Sequence, residues 1–95
     1  NAGESRDAPD ILEPVEGVGL FTGTASRPDR ALAVLRGVSA DGAPLFWFDG
    51  ATPLGVTKAG EPLPAELVRG VHRLTATDPE GRSASRRVRV LDARP

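Results

Sequence analysis

Leu45-Phe46-Trp47-Phe48-Asp49-Gly50 runs three aromatic residues into an Asp-Gly turn. Further on, Gly70-Val71-His72-Arg73-Leu74-Thr75-Ala76-Thr77-Asp78-Pro79-Glu80-Gly81 passes a second turn into Ala84-Ser85-Arg86-Arg87-Val88-Arg89-Val90. A strand carrying the only Trp, a loop-rich middle and two strands joined by a tight turn read as the centre of a two-sheet β-sandwich. Side chains alternate across a strand, so Leu45, Trp47 and Asp49 share one face while Phe46 and Phe48 share the other. Trp47 is assigned inward as the anchor of the core. The same rule puts His72, Leu74 and Ala76 inward, and Val71, Arg73, Thr75 and Thr77 outward. In the last strand it separates Ala84, Arg86, Val88 and Val90 from Ser85, Arg87, Arg89 and Leu91, a half-buried pattern with a charged outer side.

Outward from this centre, Asp78-Pro79-Glu80-Gly81 supplies a turn, proline setting φ and glycine relieving the exit, and Asp41-Gly42 supplies another. Arg30-Ala31-Leu32-Ala33-Val34-Leu35-Arg36 contains good helix formers. These seven residues, bounded by Pro28 and Gly37, nevertheless suit a buried central strand better than a stable helix. Pro53 to Thr57 reads as a short edge strand. Leu63 to Arg69 reads as irregular, with a turn of helix or an edge strand at Ala65 to Val68. Upstream, Ile11-Leu12-Glu13 is a short strand stopped by Pro14, which cannot donate to a ladder. A turn at Glu16-Gly17 precedes a second short strand ending near Phe21. Residues 1–10 are expected to be a linker or frayed terminus, 11–92 the domain and 93–95 a tail. The expected fold is an Ig-like antiparallel β-sandwich of about seven strands.

Composition bounds the function. Ninety-five residues with 39% hydrophobic content make one small domain with a single thin core. With 11 Gly and 9 Pro, punctuation is too frequent for long helices. A net charge of -1 provides no long-range field to draw in nucleic acid or an anionic membrane. No stretch approaches the ~20 apolar residues of a membrane helix, so membrane insertion by this segment is not expected. The absence of Cys removes disulfides, thiolate metal sites and a Cys nucleophile. A chain that begins at Asn1 and contains no Met is expected to be an excised domain or a processed product.

Ile11-x-x-Pro14-x-x-Gly17, Leu45-x-Trp47-x-x-Gly50, Leu54-Gly55 and Gly70-x-His72-x-Leu74-x-x-x-Asp78-x-x-Gly81, in that order, resemble the C-terminal domain of bifunctional penicillin-binding proteins of the 1C type. The resemblance covers most of the chain, from Ile11 to Leu91. It implies a non-catalytic Ig-like module that follows the glycosyltransferase and transpeptidase domains of a peptidoglycan synthase. It also implies a periplasmic or extracytoplasmic location within a larger protein. The partners it implies are the parent synthase's other domains or an envelope protein.

The residues themselves offer little chemistry. Transpeptidation in such enzymes needs Ser-x-x-Lys, and Gly55 lies three residues before Lys58, the only lysine. Lys58-Ala59-Gly60 looks faintly like a Lys-Thr-Gly element and has no serine to act with. His72, the only histidine, suits a packed residue bonded to a nearby backbone group, with a general base or metal ligand as the functional alternative. Asp78, His72 and Ser85 could suggest a triad, but alternation sets Ser85 on the side opposite His72. Asp41 and Asp78 lack the spaced carboxylates that calcium requires. No catalytic residue, cofactor or metal site is expected. The candidate interaction surface is Phe46, Phe48, Arg86, Arg87 and Arg89: a basic strip with two aromatic residues of the face opposite Trp47. Arg82 and Arg94 add to the basic character of the C-terminal strand. A solvated basic edge and packing of the phenylalanines under a loop are the structural alternatives. A carbohydrate-binding module of a secreted protein, with Phe46 or Phe48 as the sugar platform, is the alternative function. Nucleic acid is not expected, since stacking platforms are missing.

Overall fold

The computed structural model describes residues 8–93, so residues 1–7 of the expected linker, Arg94 and Pro95 lie outside the described residues. Among the described residues eight strands form two sheets: β1 (Asp10–Glu13), β2 (Val18–Phe21), β3 (Arg30–Val38), β4 (Leu45–Asp49), β5 (Thr52–Thr57), β6 (Leu63–Val68), β7 (Gly70–Thr77) and β8 (Ser83–Leu91). One sheet has the order β1-β3-β6 and the other β2-β8-β7-β4-β5. The sandwich is all-β, as expected, and its eight strands agree with the about seven that the sequence suggests. Leu63 to Val68, expected to be irregular, is a regular strand along β3, because Leu63, Ala65 and Leu67 alternate toward the core.

A second difference concerns direction. β2 runs parallel to β8, while the other pairings are antiparallel. The chain leaves β1 at a cis Glu13-Pro14 bond, turns at Gly17 and joins the opposite sheet. Pro14 ends the pairing with β3, and the Gly17 amide then bonds the Arg87 carbonyl at 2.7 Å to open the new pairing. The N-terminal edge of the sandwich is thus shared between the two sheets.

Trp47 is fully buried and donates its indole N–H to Thr57 Oγ1 at 2.9 Å, so the one polar atom of its ring system is satisfied. Around it pack Leu35, Leu45, Leu74, Ala76, Val88 and Val90. β3 accommodates the indole with small inward residues, Ala31, Ala33 and Gly37. A Cβ on Gly37 would stand 3.0 Å from the Asp10 carbonyl oxygen, 3.0 Å from Leu45 Cδ1 and 3.3 Å from Trp47 Cζ2. β3 is central in its sheet but only its inner side, Leu35 included, is buried, and Leu32 and Val34 face solvent.

Two polar ties connect the sheets. Arg86 Nη2 donates to the Ile11 carbonyl at 2.9 Å, joining β8 to β1. His72, on β7, places Nε2 2.7 Å from the Val68 carbonyl of β6 and Nδ1 2.8 Å from Asp49 Oδ2 on β4. Each tie satisfies a backbone carbonyl from across the sandwich, and the Ile11 carbonyl, part-buried, would be costly to leave unpaired.

Candidate functional site

The outer face of the five-stranded sheet gathers most of the residues singled out from the sequence. Its pairing register places Phe46 beside Val56 and Thr77, Phe48 beside Pro53 and Thr75, Thr75 beside Ser85, Arg73 beside Arg87, and Val71 beside Arg89. Phe46 (38% exposed) and Val56 (56%) make an open apolar patch at the β4-β5 edge, with Phe48 half-buried next to them. Diagonally across the face, Thr75, Thr77, Ser83 and Ser85 give way to Arg73, Arg87 and Arg89, all three exposed. Phe46, Phe48, Arg87 and Arg89 therefore share one face.

Arg86 does not join them. Alternation turns it inward to the Ile11 carbonyl, where it ties the sheets rather than meeting a partner.

Arg73 and Arg87 are a like-charged pair directly opposite each other. The Arg73 carbonyl accepts from the Gly50 amide on the β4 side. The Arg87 amide donates to Glu16 Oε1 at 3.0 Å, and its carbonyl accepts from Gly17, both on the β2 side. Neither residue spends its backbone groups on the other, so they form the narrow kind of cross-strand pair, with Cα atoms about 4.5 Å apart. Among the described residues, neither these two arginines nor Arg89 makes an ion pair. A depression of about 290 Å³ lies here, lined by Glu16, Val71, Arg73, Ser85 and Arg87.

Alternation alone places Arg73 on this face. Its meeting with Arg87 follows from counting back along the hairpin from the Asp78–Arg82 turn. Val71 is legible in the same way. Glu16 carries no such signal, because its place depends on β2 crossing to the other sheet.

The remaining candidates have structural partners. Both ring nitrogens of His72 face oxygen atoms of the protein at hydrogen-bond distance, so neither is open to a metal or a substrate. Ser85 bonds Thr75 on the outer face, while His72 points inward, so the two do not form a triad. Asp78 is buried, and its carboxylate accepts from the Glu80 and Arg82 amides at 2.9 Å each and from Arg82 Nε at 2.7 Å. Burial raises its pKa, but these donors outweigh that and hold it below the ordinary value. Its work is to close the turn. No cluster of three or more His, Cys, Asp or Glu among the described residues is placed to hold a metal ion. No helix of the described residues is long and apolar enough to cross a membrane.

A family model described as the Penicillin-Binding Protein C-terminus Family matches residues 1–90. Among solved structures, one described as the fibronectin(III)-like modules of Clostridium thermocellum CbhA superposes with a TM-score of 0.60 at 17% identity, covering 92% of this chain and 98% of that one. At that identity the likeness concerns the fold. No curated protein matches the sequence.

Proposed function

The chain belongs to the Penicillin-Binding Protein C-terminus family, and from that membership we propose that it is a non-catalytic accessory module of a cell-envelope peptidoglycan synthase. It works outside the cytoplasm by contacting the parent's other domains or an envelope protein. The observation that supports an interaction role is the outer sheet face, where arginines without an ion pair among the described residues lie diagonally across from open apolar surface. Such a combination suits docking better than catalysis, which needs a nucleophile or base with free lone pairs.

Arg87→Glu combined with Arg89→Glu tests the face. Both side chains are exposed, and changes at such positions usually cost under about 0.5 kcal/mol each. The Arg87→Glu change moreover sets a carboxylate opposite Arg73 and replaces repulsion by attraction, a gain of about 0.2–1 kcal/mol. The melting temperature should hold within a few degrees. Binding of the isolated module to the parent synthase truncated before it should weaken, most visibly at low salt where surface charges are less screened. Equal binding by wild type and double variant at both low and high salt would remove the strip from the interface.

The non-catalytic part has its own test. Without Ser-x-x-Lys, labelled penicillin should leave the module unlabelled, and removing the module should leave acylation of the parent's own serine unchanged. A labelled band at the mass of the isolated module would overturn this reading. The alternative, sugar binding, rests on Phe46 standing open to solvent. Saturable binding of peptidoglycan fragments by the module, lost in Phe46→Ala, would favour it.

A further inference from the structure

We propose that the depression between β7 and β8 binds an extended acidic polypeptide segment, with one carboxylate gripped by Arg73 and Arg87 together and a second, two residues on, by Arg89. This rests on the docking role of the same face and names its ligand. Like charges directly opposite on neighbouring strands repel, and no ion pair among the described residues neutralises these two. The guanidinium is a planar fork matched to carboxylate oxygens, so a shared carboxylate turns the repulsion into two charge-assisted pairs. Ser85 lines the same depression and offers a hydroxyl beside them.

Geometry sets the spacing of the ligand. Arg87 and Arg89 are two residues apart on one strand, a repeat of about 6.7 Å. Any extended peptide has that repeat, so carboxylates at positions i and i+2 fall in register with the two arginines. Val71, 66% exposed and paired with Arg89, supplies an apolar contact alongside.

Glu16 argues against a densely charged polymer. Its carboxylate is fixed at the rim by the Arg87 amide and lines the depression, where it repels an unbroken run of phosphates. Separated carboxylates can pass it. The chain's own net charge of -1 likewise gives no general attraction for polyanions.

The probe is a labelled peptide alternating glutamate and threonine, its glutamine-for-glutamate counterpart, and a polyglycerol-phosphate chain, each titrated against the 95-residue protein by fluorescence anisotropy. The glutamate peptide should bind saturably at low salt and the glutamine peptide at least about 10-fold more weakly, since charge-assisted bonds carry the contact. Arg73→Gln, Arg87→Gln and the pair should weaken the glutamate peptide by a similar factor with unchanged circular dichroism. Arg73→Lys, which keeps the charge and loses the fork, should recover only part of the affinity. No difference between the glutamate and glutamine peptides, or affinity indifferent to Arg73 and Arg87, overturns the proposal. Tighter binding of polyglycerol phosphate than of the glutamate peptide also overturns it, in favour of an anionic wall polymer. Failure here with continued docking to the truncated synthase would leave the accessory role standing on other contacts. Loss of docking with peptide binding intact would instead remove the parent synthase as the partner.

Discussion

Trp47→Ala is expected to leave little or no folded protein at about 37 °C. The side chain is fully buried in the middle strand group of the larger sheet, against Gly37 and Leu45. Truncating a buried Trp to Ala costs about 3–5 kcal/mol, because the neighbours relax only partly around the cavity. The change also strips Thr57 Oγ1 of its donor, and Thr57 is itself buried. A domain this small has only about 5–15 kcal/mol in total. β3 can fill little of the hole, since apart from Leu35 its inward residues are the small Ala31, Ala33 and Gly37. Trp47→Phe separates the two contributions: it keeps most of the buried ring and loses the N–H, so it should retain a folded, less stable protein. Urea melts measure both. A loss under about 1 kcal/mol for Trp47→Ala would mean that the core is not organised on this residue.

The inward direction of Trp47 is readable from sequence because a period of two leaves only two choices, and the hairpin after Gly70 repeats the same alternation. Strand β3 shows where periodicity misleads. Ala31, Ala33, Leu35 and Gly37 point inward while Leu32 and Val34 point out, so three of the four inward positions between Ala31 and Gly37 are small. The inward volume is taken by Trp47 from the other sheet, a long-range fact that no local window contains. Strand β6 is hard to read for a related reason: Pro62 and Pro64 suggest a loop, yet an edge strand tolerates proline where its N–H would face solvent.

The outer face is legible as residue types and only partly as an arrangement. Alternation places Phe46, Phe48, Arg87 and Arg89 on outward positions. That the two groups belong to one sheet depends on the strand order β8-β7-β4, which sequence separation does not reveal. Arg86 looks like a member of the strip when the run Arg86-Arg87 is taken as composition. Its own alternation points inward, and the Ile11 carbonyl supplies the reason an arginine is tolerated there.

Asp78 is the second position where one substitution should have a large effect, and its signature is in the pH dependence. Asp78-Pro79-Glu80-Gly81 reads as ordinary turn chemistry, yet the aspartate side chain is buried and organises the whole corner. One carboxylate oxygen accepts from the Glu80 and Arg82 amides and the other from Arg82 Nε. Gly81, at φ 87°, provides the left-handed step that brings these amides round. Asp78→Asn keeps one oxygen for the amides but loses the charge and sets an NH2 against the Arg82 guanidinium, a donor against a donor. The melting temperature at about pH 7 should fall by several degrees. Burial alone would raise the Asp78 pKa, but the Arg82 and Glu80 donors prevail and lower it from the ordinary 3.8. A carboxylate lowered by folding stabilises the fold fully above its unfolded value and loses that contribution as pH drops through the folded value. The gap between wild type and Asp78→Asn should therefore be constant above about pH 5 and close as pH falls below 3.8, where the wild-type carboxylate takes up its proton. Glu66 is lowered as well, chiefly by the Ser26 hydroxyl, so both proteins lose stability in acid. Only the difference between them reports Asp78. Thermal melts of the two proteins from about pH 7 to about pH 2 give that difference, and a gap that stays constant into acid would show that the Asp78 charge contributes nothing to closing the turn.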